Sequence, residues 1–267
     1  MVKKRSKKRE SFRRVYREDL KRDLNVPEMG EHIVKSFQMI FKNWKLFLPL
    51  LLMAMVILLL TVGITGFLKE AAGVFIVLVF LILWLVTIWF ARQIMAKHKV
   101  KFRDGLYNAM TPLISTFVVF AVAIVECIPI FLLVIAYSAA IETGFLTAPF
   151  YALLFWVFAA LMVTISGYLL SSSLIALLAV TVPGVYPFKA LVMATELMRG
   201  RKVRFVLRIL VLVLVLGIIF AAIVLPLSAL KVPPEVLSII VELLACFGII
   251  YMATYLYIYY RSLLNNE

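Results

Sequence analysis

The sequence predicts an all-α fold: a six-span transmembrane bundle with three amphipathic interfacial helices. Three observations carry this. Hydrophobic residues make up 64% of the 267-residue chain, beyond what an ordinary soluble domain shows. Six apolar windows are each long enough to cross a bilayer, which takes about 20 residues. The basic residues gather in bands that precede alternate windows.

Taken in order, the windows cover residues 46–68, 72–95, 113–141, 150–181, 205–228 and 236–259. Residues 1–29 form a basic tail, and residues 30–267 are read as one transmembrane domain, leaving no room for a separate soluble catalytic domain. Of 28 Lys and Arg, 14 lie within residues 3–45, five within 92–103, six within 189–208, and Arg261 adds one. Lys69 and Lys231 alone fall on the other side. This 26-to-2 split predicts cytoplasmic termini in a cytoplasmic (inner) membrane, by the positive-inside rule. The first window begins too far from the amino terminus for a cleaved signal peptide, so it is expected to act as a retained signal-anchor. The net charge of +14 then reads as a topology signal, and nucleic acid is not expected as a partner. The tail, with eleven Lys or Arg by residue 22, is expected to lie on an anionic leaflet.

A basic amphipathic stretch precedes windows one, three and five. In EHIVKSFQMIFKNWK, Ile33, Val34, Phe37, Ile40, Phe41 and Trp44 share a helical face, and Lys35, Lys42 and Lys45 lie on or beside the other. In VKFRDGLYNAMTPL the face is Phe102, Leu106, Met110 and Leu113, with Arg103 outside it. In PFKALVMATELMRGRKVRF it is Phe188, Leu191, Val192, Thr195 and Met198, flanked by Lys189, Arg199, Arg201 and Lys202. Such helices lie in the interface, lysines toward anionic headgroups. Aligning Val34-Lys35, Phe102-Arg103 and Phe188-Lys189 gives offsets of 68 and 86 residues. The chain therefore reads as three tandem units of interfacial helix, outward span and return span.

The third unit carries a resemblance. Its Phe188, Ala190-Leu191, Thr195, Leu197-Met198 and Arg199-Gly200 precede a span at once, and FKNWKLFLPLLL opens the first unit alike. This resembles a group of polytopic membrane proteins that includes the membrane domain attached to some glycerophosphoryl diester phosphodiesterases. The resemblance implies six spans with interfacial helices. The phosphodiesterase activity of that group belongs to a separate soluble barrel, so no catalytic residue carries over.

Candidate chemistry is sparse. Asp19, Asp23 and Asp104 are the only aspartates, all outside the windows, and His32 and His98 stand apart from any Cys or carboxylate cluster. Both histidines are expected to be interfacial polar residues; no metal or cofactor is expected. Cys127 and Cys246 read as small apolar core residues. No phosphate-binding glycine loop or nucleophile elbow is present, so an enzyme is not expected.

Two carboxylates lie inside windows, Glu126 and Glu242. An ionisable group at membrane depth faces the bundle interior and is a functional candidate. With no Lys or Arg deep in a span, each is expected to be the neutral acid, donating a hydrogen bond. The hairpin between windows three and four centres near residues 145 and 146, so facing residues should sum to about 291. That sets Glu126 opposite Ile165, with Thr164 or Tyr168 as the expected acceptor, and Gly167 with Ser171 as a close-approach pair between the two spans. Pro129 is expected to kink window three. The function expected is a non-enzymatic scaffold or helper that organises anionic lipids or a membrane-protein partner. The alternative is a proton- or cation-coupled transporter using Glu126 and Glu242.

Overall fold

A computed structural model describes residues 29–64, 72–230 and 232–265. The basic tail to residue 28, the end of the first window and both outer lysines, Lys69 and Lys231, lie outside the described residues. Among those described, the fold is all-helical, with ten α-helices, one 3₁₀ turn and no strand. They are α1 (Met29–Lys42), α2 (Trp44–Ile64), α3 (Ala72–Met95), α4 (Phe102–Ala109), α5 (Leu113–Glu126), α6 (Ile128–Glu142), α7 (Pro149–Ala179), α8 (Pro187–Leu197), α9 (Lys202–Ala229) and α10 (Pro234–Asn265).

Four helices, α3, α7, α9 and α10, are long and apolar enough to cross a membrane. Up to six crossings result if each bent pair is one span: α1 with α2, bent by 85°, and α4 with α5, bent by 63°. The apolar helices thus fit a multi-pass membrane protein. Window three is interrupted rather than continuous. Cys127 separates α5 from α6, and Pro129 sits in the first turn of α6, where its missing N–H is least disruptive. The two pieces still follow α7 in one register. Ser166 bonds to Glu126, and Phe155 packs on Tyr137 at 5.9 Å. Both pairs sum to 292, one residue from the expected level.

Chain order shapes the packing. Seven residues between α2 and α3, and two short turns elsewhere, force antiparallel hairpins, so the chain returns each time to the same end. That end carries α1, α4 and α8 and most of the basic residues, and is called the basic end below. Each short helix packs on the return helix of the preceding unit: α4 on α3, α8 on α7, and α1 on α10. The outward helices repeat this, with α5 against α3, α9 against α7 and α2 against α10. The last contact of each set closes a ring, because the first unit docks on the third.

Buried residues, small in all but one case, permit the short helices to approach. On α1 they are Ser36 with Ile40, on α4 Gly105 with Ala109, and on α8 Ala190 with Ala194. A Cβ at Gly105 would overlap the Phe90 ring, so glycine is required there. These i, i+4 pairs align at offsets of 69 and 85, one residue from the sequence alignment at the middle unit. One apolar core joins these helices through Leu50, Leu83, Phe90, Ile175, Phe205 and Tyr255. A small separate cluster of Ala140, Phe155 and Ala159 holds α6 to α7 at the far end.

The faces of the short helices differ from the expected ones. On α1, His32, Ser36 and Ile40 are buried against the bundle, while Val34, Phe37 and Phe41, and Trp44 at the start of α2, are about half exposed. Ile40 was expected beside those aromatics and is instead in the core. On α8 the buried residues are Ala190, Ala194, Leu197 and Met198, while Phe188, Val192 and Thr195 face outward. Two-sided amphipathicity misses this, because a short helix seated on a membrane bundle has three environments: protein, lipid and headgroup.

Candidate functional site

The setting of Glu126 follows from the break beside it. Beside Pro129, Ile130 N bonds three residues back to Cys127 O at 3.0 Å, which Phe131 N shares by its ordinary helical bond at 3.1 Å, so Glu126 O is left out of the ladder. A carbonyl at an interrupted ladder needs another donor at membrane depth. The Ser166 hydroxyl of α7 supplies it, donating to Glu126 O at 3.0 Å. The hairpin is therefore pinned through the main chain of Glu126, not through its carboxyl. Thr164, one of the two expected partners, donates to Ala160 O of its own helix at 2.7 Å. Tyr168, the other, is half exposed and lies under Lys202, whose Nζ is 4.4 Å from the ring centroid. A helical Thr hydroxyl can bond the carbonyl one turn back, and Thr164 does so in preference to crossing to α5.

The Glu126 side chain leans toward the start of α5, and so toward the basic end. Ser173 of α7 and Lys202 at the foot of α9 are the side chains acting on it. Contact is incomplete: Glu126 Oε2 and Ser173 Oγ are both buried without a hydrogen-bond partner. Lys202 Nζ also lies 3.5 Å from Ser172 Oγ. The expectation of no cation near Glu126 is thus corrected. Lys202, read from the sequence as a headgroup residue, stretches along α7 to Tyr168 and Ser172, from where its charge acts on Glu126. Gly167 likewise serves a different neighbour. It faces Val206 of α9, at 3.3 Å from the site of an added Cβ, not α5.

A cleft of about 520 Å³ opens at the foot of this group, lined by Tyr168, Thr195, Glu196, Arg199, Gly200, Lys202 and Val203. Gly200 turns the chain with a φ of 77°, a region that favours glycine. From the cleft, Lys202, Ser172, Ser173 and Glu126 form a polar line into the apolar bundle. Glu242 is not part of it. Its Oε2 is buried without a partner, and the group it acts on is Cys246, one turn along α10. The four residues read as one intramembrane site are therefore brought together only in part.

The interfacial cations divide similarly. Lys42, Lys45, Arg103, Lys189 and Arg199 are exposed, and Arg201 and Lys202 are half-buried. Lys35 pairs with Glu31 at 3.1 Å, both exposed, an arrangement worth only a few tenths of a kcal/mol. His32, expected at the surface, is buried between the edges of Tyr255 and Tyr259, with ring centroids at 6.2 and 6.0 Å. Burial, aided by the nearby Arg208 charge, holds the pKa of its imidazole down to about 4. Tyr251 ties the same helix down, donating to Ile33 O at 3.0 Å. The sequence carried no sign of this seat, because Tyr251 is 218 positions away.

Comparison with known proteins finds no matching family model, no matching curated protein and no matching solved structure.

Proposed function

We propose that this chain is a non-enzymatic integral membrane protein of the cytoplasmic membrane, crossing it six times with both termini inside, and that it gathers anionic lipids around its basic end. The observation carrying this is α1. Its apolar stripe of Val34, Phe37 and Phe41 is exposed on a helix bent 85° from α2, with Lys42 exposed alongside and Trp44 and Lys45 exposed at the start of α2. A helix lying across the span, aromatics on one flank and lysines on the other, matches the interface between acyl chains and anionic headgroups. Tyr186 and Phe188 beside Lys189 repeat the pattern at α8.

The ring-like packing supports the tandem-unit reading, since each short helix docks on the return helix of the unit before. Kinship with the phosphodiesterase-associated membrane group rests on the motif at α8 and on FKNWKLFLPLLL at the opening of the first unit. Two observations favour a lipid organiser over a proton- or cation-coupled transporter. A cation, Lys202, acts on Glu126, and Glu126 and Glu242 lie in separate surroundings.

The test is lipid enrichment around the full chain in mixed vesicles of phosphatidylglycerol and phosphatidylcholine. Replacing Lys42, Lys45, Lys189, Arg199 and Arg201 together by Gln should lower the phosphatidylglycerol share of the annulus. Each surface charge contributes about 1 kcal/mol, so the expected loss is severalfold. An unchanged annulus would contradict the proposal.

A further inference from the structure

Three clefts lie at corresponding elbows, each where a short helix turns into its outward helix beside the preceding return helix. The α1–α2 elbow holds about 120 Å³ and is apolar, lined by residues such as Phe41, Trp44, Phe47 and Phe247. The α8–α9 elbow, described above, mixes Glu196 with Arg199 and Lys202. The α4–α5 elbow differs from both. It encloses about 590 Å³ and is lined by Arg92, Gln93, Asn108, Thr111 and Ser115 over a wall that includes Trp89, with no carboxylate in its lining.

Its cation is held in place. Arg92 donates from one terminal nitrogen to Thr181 O at 2.9 Å and from the other to Thr181 Oγ1 at 2.6 Å. Thr181 in turn donates to Leu178 O at 2.7 Å, so the turn just after α7 fixes the guanidinium. A guanidinium has five N–H donors, and among the described residues Thr181 engages two. Gln93 is oriented too, with its Oε1 2.8 Å from His98 Nδ1, which leaves its amide N–H groups for the cavity. The floor is the start of α5, a 14-residue helix that opens at Pro112 without a side-chain cap. The first backbone N–H groups of a helix have no internal acceptor and carry its positive dipole end. Pro112 and Ser115 line the cavity, so that end faces into it, with Leu113 N already bonded to Met110 O at 3.1 Å and the N–H groups of Ile114 and Ser115 next in line. A pinned guanidinium, neutral donors, an uncapped helix start and no carboxylate together select an anion with several acceptor oxygens.

We propose that the α4–α5 elbow is a binding site for a phosphate group, carried by a lipid headgroup or by a soluble phosphate. The site stands independently of the lipid-gathering role proposed for α1 and α8, because its residues and its ligand geometry are different. Arg92 forms the paired contact to phosphate oxygens, and Thr111, Ser115 and the second amide N–H of Asn108, whose first donates to Asp104 O at 2.8 Å, complete the shell. The indole of Trp89 packs beside the ligand.

The test titrates the full chain in neutral detergent with dihexanoyl phosphatidic acid, inorganic phosphate and dihexanoylglycerol, reading the melting temperature and tryptophan emission. Phosphatidic acid should raise the melting temperature saturably, and Arg92→Gln should weaken its binding about tenfold, the loss expected for one charged contact. Because Arg92 also holds Thr181, Ser115→Leu provides a second variant that fills the cavity with the Arg92–Thr181 contact intact. It should weaken binding as much. Competition by inorganic phosphate would identify a site that reads the phosphate alone; no competition would identify the lipid headgroup as its source. Either result supports the site. Equal shifts with dihexanoylglycerol, or unaltered binding in both variants, would overturn it. Replacing Lys42, Lys45, Lys189, Arg199 and Arg201 should leave this titration unchanged, which separates the two proposals.

Discussion

Helices α3 and α9 present windows of nearly equal apolarity, yet half of the α3 window is buried inside the protein and only 6% of the α9 window is. Hydropathy alone gives no reason for the difference. The residues between the aliphatics do. Near its end α3 carries a buried Thr87, then Phe90, which meets α2 and α4, and Arg92, which meets the turn after α7. The middle of α9 is LVLVLVLGIIF, with Leu210, Val213, Leu214 and Ile218 all more than half exposed. In lipid, aliphatic side chains gain nothing by leaving the acyl phase, so burial is decided by polar groups, small residues and shape. Helix α3 is therefore a packing element, whereas α9 is mostly a lipid-facing one held at its foot by Phe205 and Arg208.

The largest test of that contrast is a paired truncation. Phe90 is fully buried among Phe47, Phe102 and Gly105. Phe90→Ala should cost about 3 kcal/mol or more in reversible unfolding from a bilayer mimic, by loss of packing and cavity formation. Leu214→Ala on α9 removes a side chain facing outward and should stay within about 0.5 kcal/mol. Similar losses at both positions would break the comparison.

A second test addresses the foot of α9. His32 is neutral in the folded chain because burial and Arg208 lower its pKa from 6.5 to about 4. An unfolded chain takes up a proton near 6.5, and the folded one does not until about 4. Stability should therefore be full above pH 6.5, fall as pH drops toward 4, and level off below it. The total is about 3 kcal/mol, at roughly 1.4 kcal/mol for each tenfold change in proton affinity. Melting measured from neutral pH down to about 4 would show that slope, and His32→Phe should flatten it. A slope that survives the substitution would place the titrating group elsewhere.

Much of the architecture was legible because bilayer physics constrains it tightly. The apolar windows match α3, α7, α9 and α10 closely, and the hairpin level of Glu126 was right to one residue. Side-chain partners were less legible, for physical reasons. Thr164 had a competing acceptor in its own helix, and the charge acting on Glu126 is that of Lys202 from the next unit, with nothing local to announce it. His32 belongs to a third face of α1, created by contact with α10 at the other end of the chain. The Arg92 cavity escaped notice for a similar reason. Its parts come from three separate stretches, and none of them resembles a motif alone.

The central claim is that the exposed stripe of α1 lies in the membrane interface. A variant with Trp44 replaced by Phe, Phe41 on α1 replaced by Trp as its only tryptophan, and Trp84, Trp89 and Trp156 replaced by Phe reads this directly in vesicles containing brominated lipids. Quenching should be strong with bromines placed high on the acyl chains and weaker with bromines near the bilayer centre, while aqueous iodide has little effect. Efficient quenching by iodide with none from brominated lipid would put α1 in water and contradict the account.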